Sequence, residues 1–390
     1  MVSALVRGIK VDMSSVRFAI SYTVKDESRM LPAAIDYHLA AGCSRIYVFW
    51  DGTSDGSDLL LSAYPSVIAR NSITPDEAAD APQWITKILP WWDVDMDVRK
   101  CINAYYAARS AAREGIDWLI SLDADELIWM ENDSPINQDS VVRQLCRVPD
   151  NIDQLLLPNL DSVATSGESK SPFSDCVYFM NRFPATEFVW RSSRALLIRI
   201  GGSPELVAWY DYFFYQVRFA GALPRLMREP KSRRRIPAGY FLGYSSYKSF
   251  IRIATFSNFK FATHRWMRDV RAPRTMALGN VLHYDMPDAA YFAAKFRKRQ
   301  EGILQKFFYL RYRLALVARN CSDSEIKEFF DDYIAIREPA RIARLESKGI
   351  LLRIDAVADF MKGRQGDAVL ARPSIMAPIA PSCTGCEGDV

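Results

Sequence analysis

Trp118-Leu119-Ile120-Ser121-Leu122-Asp123-Ala124-Asp125-Glu126-Leu127 passes within ten residues from β-forming apolar side chains to three carboxylates. A short apolar run bounded by polar residues is the mark of a strand buried on both faces of a parallel sheet. Ligands of open α/β sheets sit beyond the carboxyl ends of the strands. Asp123, Asp125 and Glu126 therefore stand where a ligand would be held. Asp123 and Asp125 are two apart and share a side wherever the chain is extended. Their like charges repel unless a cation lies between them. A hard divalent ion, Mn²⁺ or Mg²⁺, takes one or two carboxylates plus phosphate oxygens. For a lone Asp-x-Asp, a solvated turn is the commoner origin, so the flanking sequence has to supply the weight.

Upstream, Val16 to Val24 (VRFAISYTV) reads as a first strand with a ligand-side turn at Lys25–Arg29. Leu31 to Ala41 carries apolar residues at helical spacing and stops at Gly42, a residue suited to a helix C-terminus. His38 sits among apolar neighbours and reads as structural. Arg45 to Trp50 is a second strand running into Asp51-Gly52-Thr53-Ser54-Asp55-Gly56-Ser57, where small residues let the backbone turn tightly. Strand, helix and strand at this spacing form a right-handed parallel crossover. Ser66 to Asn71 is a short third strand, and Thr74 to Met96 is loop-like. Val98 to Glu114 is a helix whose first turn offers Arg99, Lys100 and Asn103, leading into the strand that ends at Asp123.

Downstream, strands are expected at Gln154–Leu157, Cys176–Asn181, Arg194–Ile200, Phe250–Thr255 and Asn280–Tyr284. Residues 201–243 change character, with Trp209-Tyr210-Asp211-Tyr212-Phe213-Phe214-Tyr215 followed by Arg225, Arg228, Lys231 and Arg233-Arg234-Arg235. This reads as an insertion; an aromatic and basic surface suits a membrane face or an anionic acceptor, and a buried aromatic helix beside a solvated basic loop explains it as well. Asp288 to Arg319 is a long helical region, Glu325–Glu346 and Leu351–Lys362 are further helices, and 363–390 is a Pro/Gly/Ser-rich tail expected to be disordered.

The 390 residues suit two domains, or one large α/β domain with additions. A net charge of +4 is too small to imply a nucleic-acid partner. Seven cysteines without framework spacing suggest a reducing compartment, and Cys383-Thr384-Gly385-Cys386 has no second pair to make a zinc site. The first residues lack the shape of a signal peptide, and no apolar run reaches the length of a membrane span. The expected location is cytoplasmic, with peripheral contact at the inner face of a membrane through 201–243.

Taken in order, these segments resemble the glycosyltransferases of the GT-A fold, in particular family 2-like enzymes related to family 92. The resemblance rests on Lys25-Asp26-Glu27, on Asp36-Tyr37-His38 with Gly42, and on Asp51 followed by Ser54-Asp55-Gly56-Ser57. It continues through Trp118 with Asp123-Ala124-Asp125-Glu126, Lys248 to Arg252, His264-Arg265, and Leu282-His283-Tyr284 with Lys295 downstream. It departs at Asp26, where the family has Asn, at Leu127, where it has Phe, and in the length of 201–243.

The resemblance implies a GT-A domain over 1–300 with an insertion at 201–243 and a helical extension over 301–362. It implies a metal-dependent hexosyltransferase that moves a sugar from a nucleotide-sugar donor, a UDP-sugar, to a glycan or glycolipid acceptor with inversion. Lys25, Glu27, Asp51, Arg99, Lys248 and Arg252 are expected to hold the donor. Asp123, Asp125, His283 and His264 are expected around Mn²⁺ or Mg²⁺. A carboxylate must take the acceptor's proton, and Asp161, Glu187 and Glu126 are the candidates. A metal-dependent nucleotidyltransferase and a non-catalytic nucleotide- or glycan-binding protein are the alternatives.

Overall fold

The computed structural model describes residues 16–61, 64–131, 136–137, 139–181, 184–218, 226–236, 247–298 and 309–371, with the backbone alone at 139, 184–188, 191, 215–218 and 365–371. Its centre is a nine-stranded sheet. The strands are β1 (Phe18–Val24), β2 (Arg45–Trp50), β3 (Val67–Asn71), β4 (Trp118–Leu122), β5 (Glu126–Trp129) and β6 (Gln154–Asp161). After β7 (Tyr178–Met180), β8 (Met227–Arg228) and β9 (Arg235–Ile236) come β10 (Tyr247–Arg252), the hairpin β11 (Phe259–Ala262) and β12 (Arg265–Arg268), β13 (Thr275–Ala277), β14 (Asn280–His283) and β15 (Leu351–Arg353). The central order is β3-β2-β1-β4-β10-β6-β14-β5, with β13 beside β6.

The sheet is mostly parallel, as the sequence suggested. β1 pairs in parallel with β2 and β4, β2 with β3, and β6 with β13 and β14. β10 runs against β4 and β6, and β5 runs against β14. This polarity brings the ends of β1, β2, β4, β6 and β14 and the beginnings of β5 and β10 to one rim.

Alternation along each strand builds two cores. Phe18, Ile20 and Tyr22 of β1, with Trp118, Ile120 and Leu122 of β4, face one side, where Leu31, Ala34 and Ile35 of the helix Leu31–Ala40 cover them. Ala19, Tyr47, Phe49 and Leu119 face the other side, against the helix Met96–Arg113. Its contact residues Ala104, Ala107, Ala108 and Ala111 are small enough for close approach. Asp95 caps that helix by accepting the Asp97 N–H at 2.8 Å. A third core joins the helices Ala289–Arg297, Tyr309–Asn320 and Asp323–Tyr333 through Phe292, Phe296, Leu314, Ala318, Phe329 and Phe330.

Several expectations are corrected. Arg194–Ile200 is not a strand but the end of the helix Pro184–Arg199, which packs on a second helix, Pro204–Arg218. Residues 351–353 form a strand against β7 before the helix Ala356–Ala371 begins. That helix runs through Gly363, so the expected disordered tail begins too early; residues 372–390 lie outside the described residues. The 325–346 segment is two helices, Asp323–Tyr333 and Pro339–Ser347. The Asp288–Arg319 region holds the helices Ala289–Arg297 and Tyr309–Asn320, with 299–308 outside the described residues. Of the proposed insertion, the helix Pro204–Arg218 and the β8–β9 hairpin are described.

His38 is fully buried and fastens the first helix to the sheet. Its Nε2 accepts the Ile128 N–H at 3.1 Å, so the proton sits on Nδ1, 2.8 Å from both the Ala34 carbonyl and the Tyr22 hydroxyl. Burial presses its pKa down to about 3, against about 6.5 for an exposed imidazole. The folded state resists a proton that the unfolded chain accepts. Stability is therefore full above about pH 6.5 and declines as pH falls toward 3, by up to about 1.4 kcal/mol per pH unit. Urea unfolding between pH 7 and pH 5 should show this acid slope. The His38→Gln variant, less stable at pH 7, should show a shallower one.

Candidate functional site

The rim of the sheet carries a dense group of opposite charges. β4 stops at Leu122, and residues 123–125 turn, closed by the Glu126 N–H donating to the Asp123 carbonyl at 3.0 Å. β5 then starts at Glu126 and leaves alongside β14. Because the segment turns, Asp123 and Asp125 point to different partners, and the extended-chain argument for a shared cation does not hold here.

Asp123 lies between two lysines. Lys100, from the helix Met96–Arg113, contacts Oδ1, and Lys248, at the start of β10, donates to Oδ2 at 2.9 Å. Lys248 also reaches Glu126 Oε2 at 2.7 Å, and that carboxylate accepts the Asp123 N–H at 2.8 Å. Lys248 is wholly buried, whereas 35% of the Asp123 side chain still meets solvent. Burial opposes charge on Asp123, but Lys100 and Lys248 outweigh it and hold the carboxyl well below its usual range. Burial would likewise neutralise Lys248; Asp123 and Glu126 overcome it and raise the ammonium pKa.

Asp125 belongs to a second group. Asp125, His283 and Asp285, all buried, place one ligand atom each within 4.8 Å of one another. His283 Nε2 lies 3.8 Å from Asp125 Oδ2 and 3.9 Å from Asp285 Oδ1. Its Nδ1 is 2.6 Å from Asp161 Oδ1 at the end of β6. Such a carboxylate fixes the ring so that the other nitrogen faces a metal. Lys295 of the helix Ala289–Arg297 bridges the two acids, 2.6 Å from Asp125 Oδ2 and 2.7 Å from Asp285 Oδ1. The Tyr291 hydroxyl donates to Asp125 Oδ2 at 3.2 Å, and Arg311 meets Asp285 Oδ2 at 2.9 Å. Burial lowers the His283 pKa, but Asp125, Asp161 and Asp285 outweigh it and lift it to about 9. Two carboxylates and an oriented imidazole around one point are a donor set for Mn²⁺ or Mg²⁺, and the Lys295 ammonium already fills the role of a cation between them.

The remaining expected residues divide. Glu27 lies in the field of Asp125; burial first, then Asp125, raises its carboxyl to about 8, against the pull of Lys295. Lys25 is exposed, its Nζ 3.9 Å from where a Cβ on Gly52 would lie. Asp51 and Arg99, both expected to hold donor, hold each other instead, with Nη2 to Oδ2 at 2.9 Å. Arg252 is corrected. It pairs with Trp118 at the opposite end of β4, stacks 4.3 Å over that ring and donates to the Ile152 and Pro149 carbonyls at 2.8 Å. His264 lies outside the Asp125–His283–Asp285 group, in the turn between β11 and β12; burial, then Lys248 and Lys100, press its pKa to about 2. Of the carboxylates weighed as bases, Asp161 is spent on His283 and Glu126 on Lys248, while the Glu187 side chain lies outside the described residues. Sequence reasoning missed Asp285. Its signal was its position two residues beyond His283, where the chain leaves β14.

No protein-family model matches the chain. Along its length it is similar to two Arabidopsis thaliana proteins, Glycosyltransferase-like At3g57200 and Glycosyltransferase-like At2g41451. The first is 22% identical over 372 residues, 91% of this chain and 65% of the relative. The second is 23% identical over 339 residues, 83% of this chain and 66% of the relative. The chain thus spans just under two thirds of each relative's length. Among solved structures, glucosyl-3-phosphoglycerate synthase from Mycobacterium tuberculosis, in complex with Mn²⁺, UDP and phosphoglyceric acid, matches 80% of this chain and 81% of its own at 12% identity and a TM-score of 0.30. A mycobacterial protein matches 73% and 72% at 14% identity and a TM-score of 0.31. Overlaps this slight show nothing about the present site.

Lys248 offsets two carboxylates in the sheet interior, so removing its charge strands both. Lys248→Met should cost about 3–5 kcal/mol in urea unfolding, the penalty for breaking a buried ion pair. Adding Glu126→Gln should recover part of that loss. A single variant as stable as wild type would show that the cluster is solvated.

Proposed function

We propose that the protein is a metal-dependent glycosyltransferase that uses a nucleotide-sugar donor. The observation that carries this reading is the grouping of Asp125, His283 and Asp285 at the ligand-side rim. The similarity of nearly the whole chain to proteins named glycosyltransferase-like supports it. In this reading the sheet and its helices are a GT-A domain over 1–300, and the helices beyond it are an extension. Transfer is from a UDP-hexose to a glycan or lipid-linked acceptor with inversion, in the cytoplasm or at the inner face of a membrane.

Asp125, His283 and Asp285 would hold the metal, with Asp161 fixing the imidazole. When bound, the ion supplies Lewis-acid stabilisation of the charge that develops on the departing nucleoside diphosphate. Asp123 is a positioning residue rather than a ligand, held against the turn by Lys100 and Lys248. Lys25, beside the turn at Gly52, is exposed and available to the donor. Lys295 neutralises Asp125 and Asp285 and keeps them together in the absence of another cation. Donor phosphates would meet Lys295 and Arg311 as well as the ion, so metal and diphosphate favour each other's binding through charge.

Thermal unfolding with Mn²⁺ and UDP tests this without assuming an acceptor. Mn²⁺ and UDP together should raise Tm by several degrees more than either alone, and EDTA should cancel the effect. Asp125→Asn and His283→Ala should lose the joint shift and reduce Mn²⁺-dependent UDP-sugar hydrolysis by at least roughly 10²-fold, as expected on losing an electrostatic stabiliser. An unchanged joint shift in both variants would remove the metal from this site.

A further inference from the structure

The two helices Pro184–Arg199 and Pro204–Arg218 form a hairpin across residues 200–203. Trp190 Nε1 donates to Asp211 Oδ1 at 2.8 Å, Arg194 meets Asp211 Oδ2 at 3.3 Å, and Ser193 contacts Tyr210. The link of four residues between two helices packed on each other makes them an antiparallel pair. On the first helix Val189, Leu196 and the following Ile200 lie within an arc of about 40°, at about 100° per residue. On the second, Leu206, Trp209 and Phe213 share an arc of about 60°. Counted along each chain, each arc trails its contact face in the same rotational sense, by about a quarter turn on the first helix and about a third of a turn on the second. Antiparallel packing brings both arcs to one side of the hairpin.

That side is not covered among the described residues. Val189 is 59% exposed, Leu196 60%, Ile200 73%, Leu206 51% and Phe213 58%. A paired apolar face of this kind marks a site of interaction. Its surroundings are cationic: residues 184–235 contain ten Lys and Arg against four Asp and Glu. The β8–β9 hairpin is fixed beside the foot of the second helix by Arg234 to Glu205 at 2.6 Å. Next to that contact, Arg228, Arg233 and Arg235 are exposed. No helix among the described residues is long and apolar enough to cross a membrane. Apolar side chains on one side of a hairpin with a rim of arginine match a surface that is apolar below and anionic above.

We propose that this hairpin docks the protein on an anionic lipid surface, with Leu196, Ile200, Leu206 and Phe213 entering the interface and Arg228, Arg233 and Arg235 meeting the headgroups. The helix Tyr309–Asn320 packs against Pro204–Arg218 and also sends Arg311 to Asp285. The docking face is thus one helix removed from the candidate metal site. The inference does not depend on the transfer reaction, since it concerns where the chain binds and not what it catalyses.

Co-sedimentation of the full chain with extruded vesicles tests it. Binding is expected to mixed phosphatidylcholine–phosphatidylglycerol vesicles, to weaken with added salt, and to be slight with phosphatidylcholine alone. Leu196→Ser with Phe213→Ser should lower partitioning roughly tenfold or more, and Arg233→Glu with Arg235→Glu by a similar factor. All these side chains are exposed, so both double variants should keep the wild-type melting temperature. No binding by the wild type, or equal binding by the variants, overturns the proposal. So does a wild-type dimer in light scattering that the Leu196→Ser/Phe213→Ser variant abolishes while vesicles are ignored; that result would make the face a contact between copies of the chain.

Discussion

The rim depends on Lys248, a fully buried ammonium set between Asp123 and Glu126. A charge at that depth is tolerated only with close partners, because desolvating an unpaired ion costs several kcal/mol. The requirement is met by topology. Each parallel strand delivers its end to the rim, but β10 runs the other way and delivers its beginning, with Lys248 as its second residue. Lys248 therefore arrives beside the end of β4, opposite Leu157 of β6, within reach of Asp123. Without that reversed strand, Asp123 and Glu126 would face each other across an apolar interior with Lys100 as their remaining cation.

The sequence told more about the sheet than about its rim. β1, β2 and β4 could be read because strands buried on both faces carry unbroken apolar runs, and the crossover helices keep their 3.6-residue period. Asp125 was singled out because it follows β4 at its carboxyl end, and His283 because of the resemblance; the structure places both at the ligand-side rim. The pairing of Asp123 with Asp125 failed for a local reason. A two-residue period applies only while the chain is extended, and β4 ends one residue before the first aspartate. Asp285 sits in the turn after β14, two residues past His283, and Lys295 was marked by the resemblance, but Arg311 reaches the site from a helix that third-core packing brings in, which no local pattern encodes. Arg252 shows the converse. It shares a strand with Lys248, but four residues of β10 carry it to the far end of the sheet.

Helix and strand were confused where apolar residues do not mark burial. Arg194–Ile200 looks like a strand because Leu196, Leu197, Ile198 and Ile200 lie close together, yet three of these four are exposed on a helix or at its end. Hydrophobic patterning reports the side turned from water only when water is what lies outside.

Lys295 and His283 define what the second group can accept. With His283 raised to about 9 and Lys295 between the acids, Asp125 and Asp285 already face cationic neighbours. A divalent ion must displace a proton from the imidazole and compete with an ammonium for the same oxygens. Alone it gains little, because it replaces one set of ion pairs with another and leaves Lys295 and Arg311 facing like charge. Arriving with a diphosphate, it brings the anions those two side chains then lack. In the proposed reading, a metal–diphosphate pair would fit this arrangement better than either component, by the same Coulomb terms that keep the group intact without them. That preference comes from placing Lys295 and Arg311 on two packed helices outside the sheet, so the C-terminal helices are part of the site's electrostatics as well as of the protein's stability.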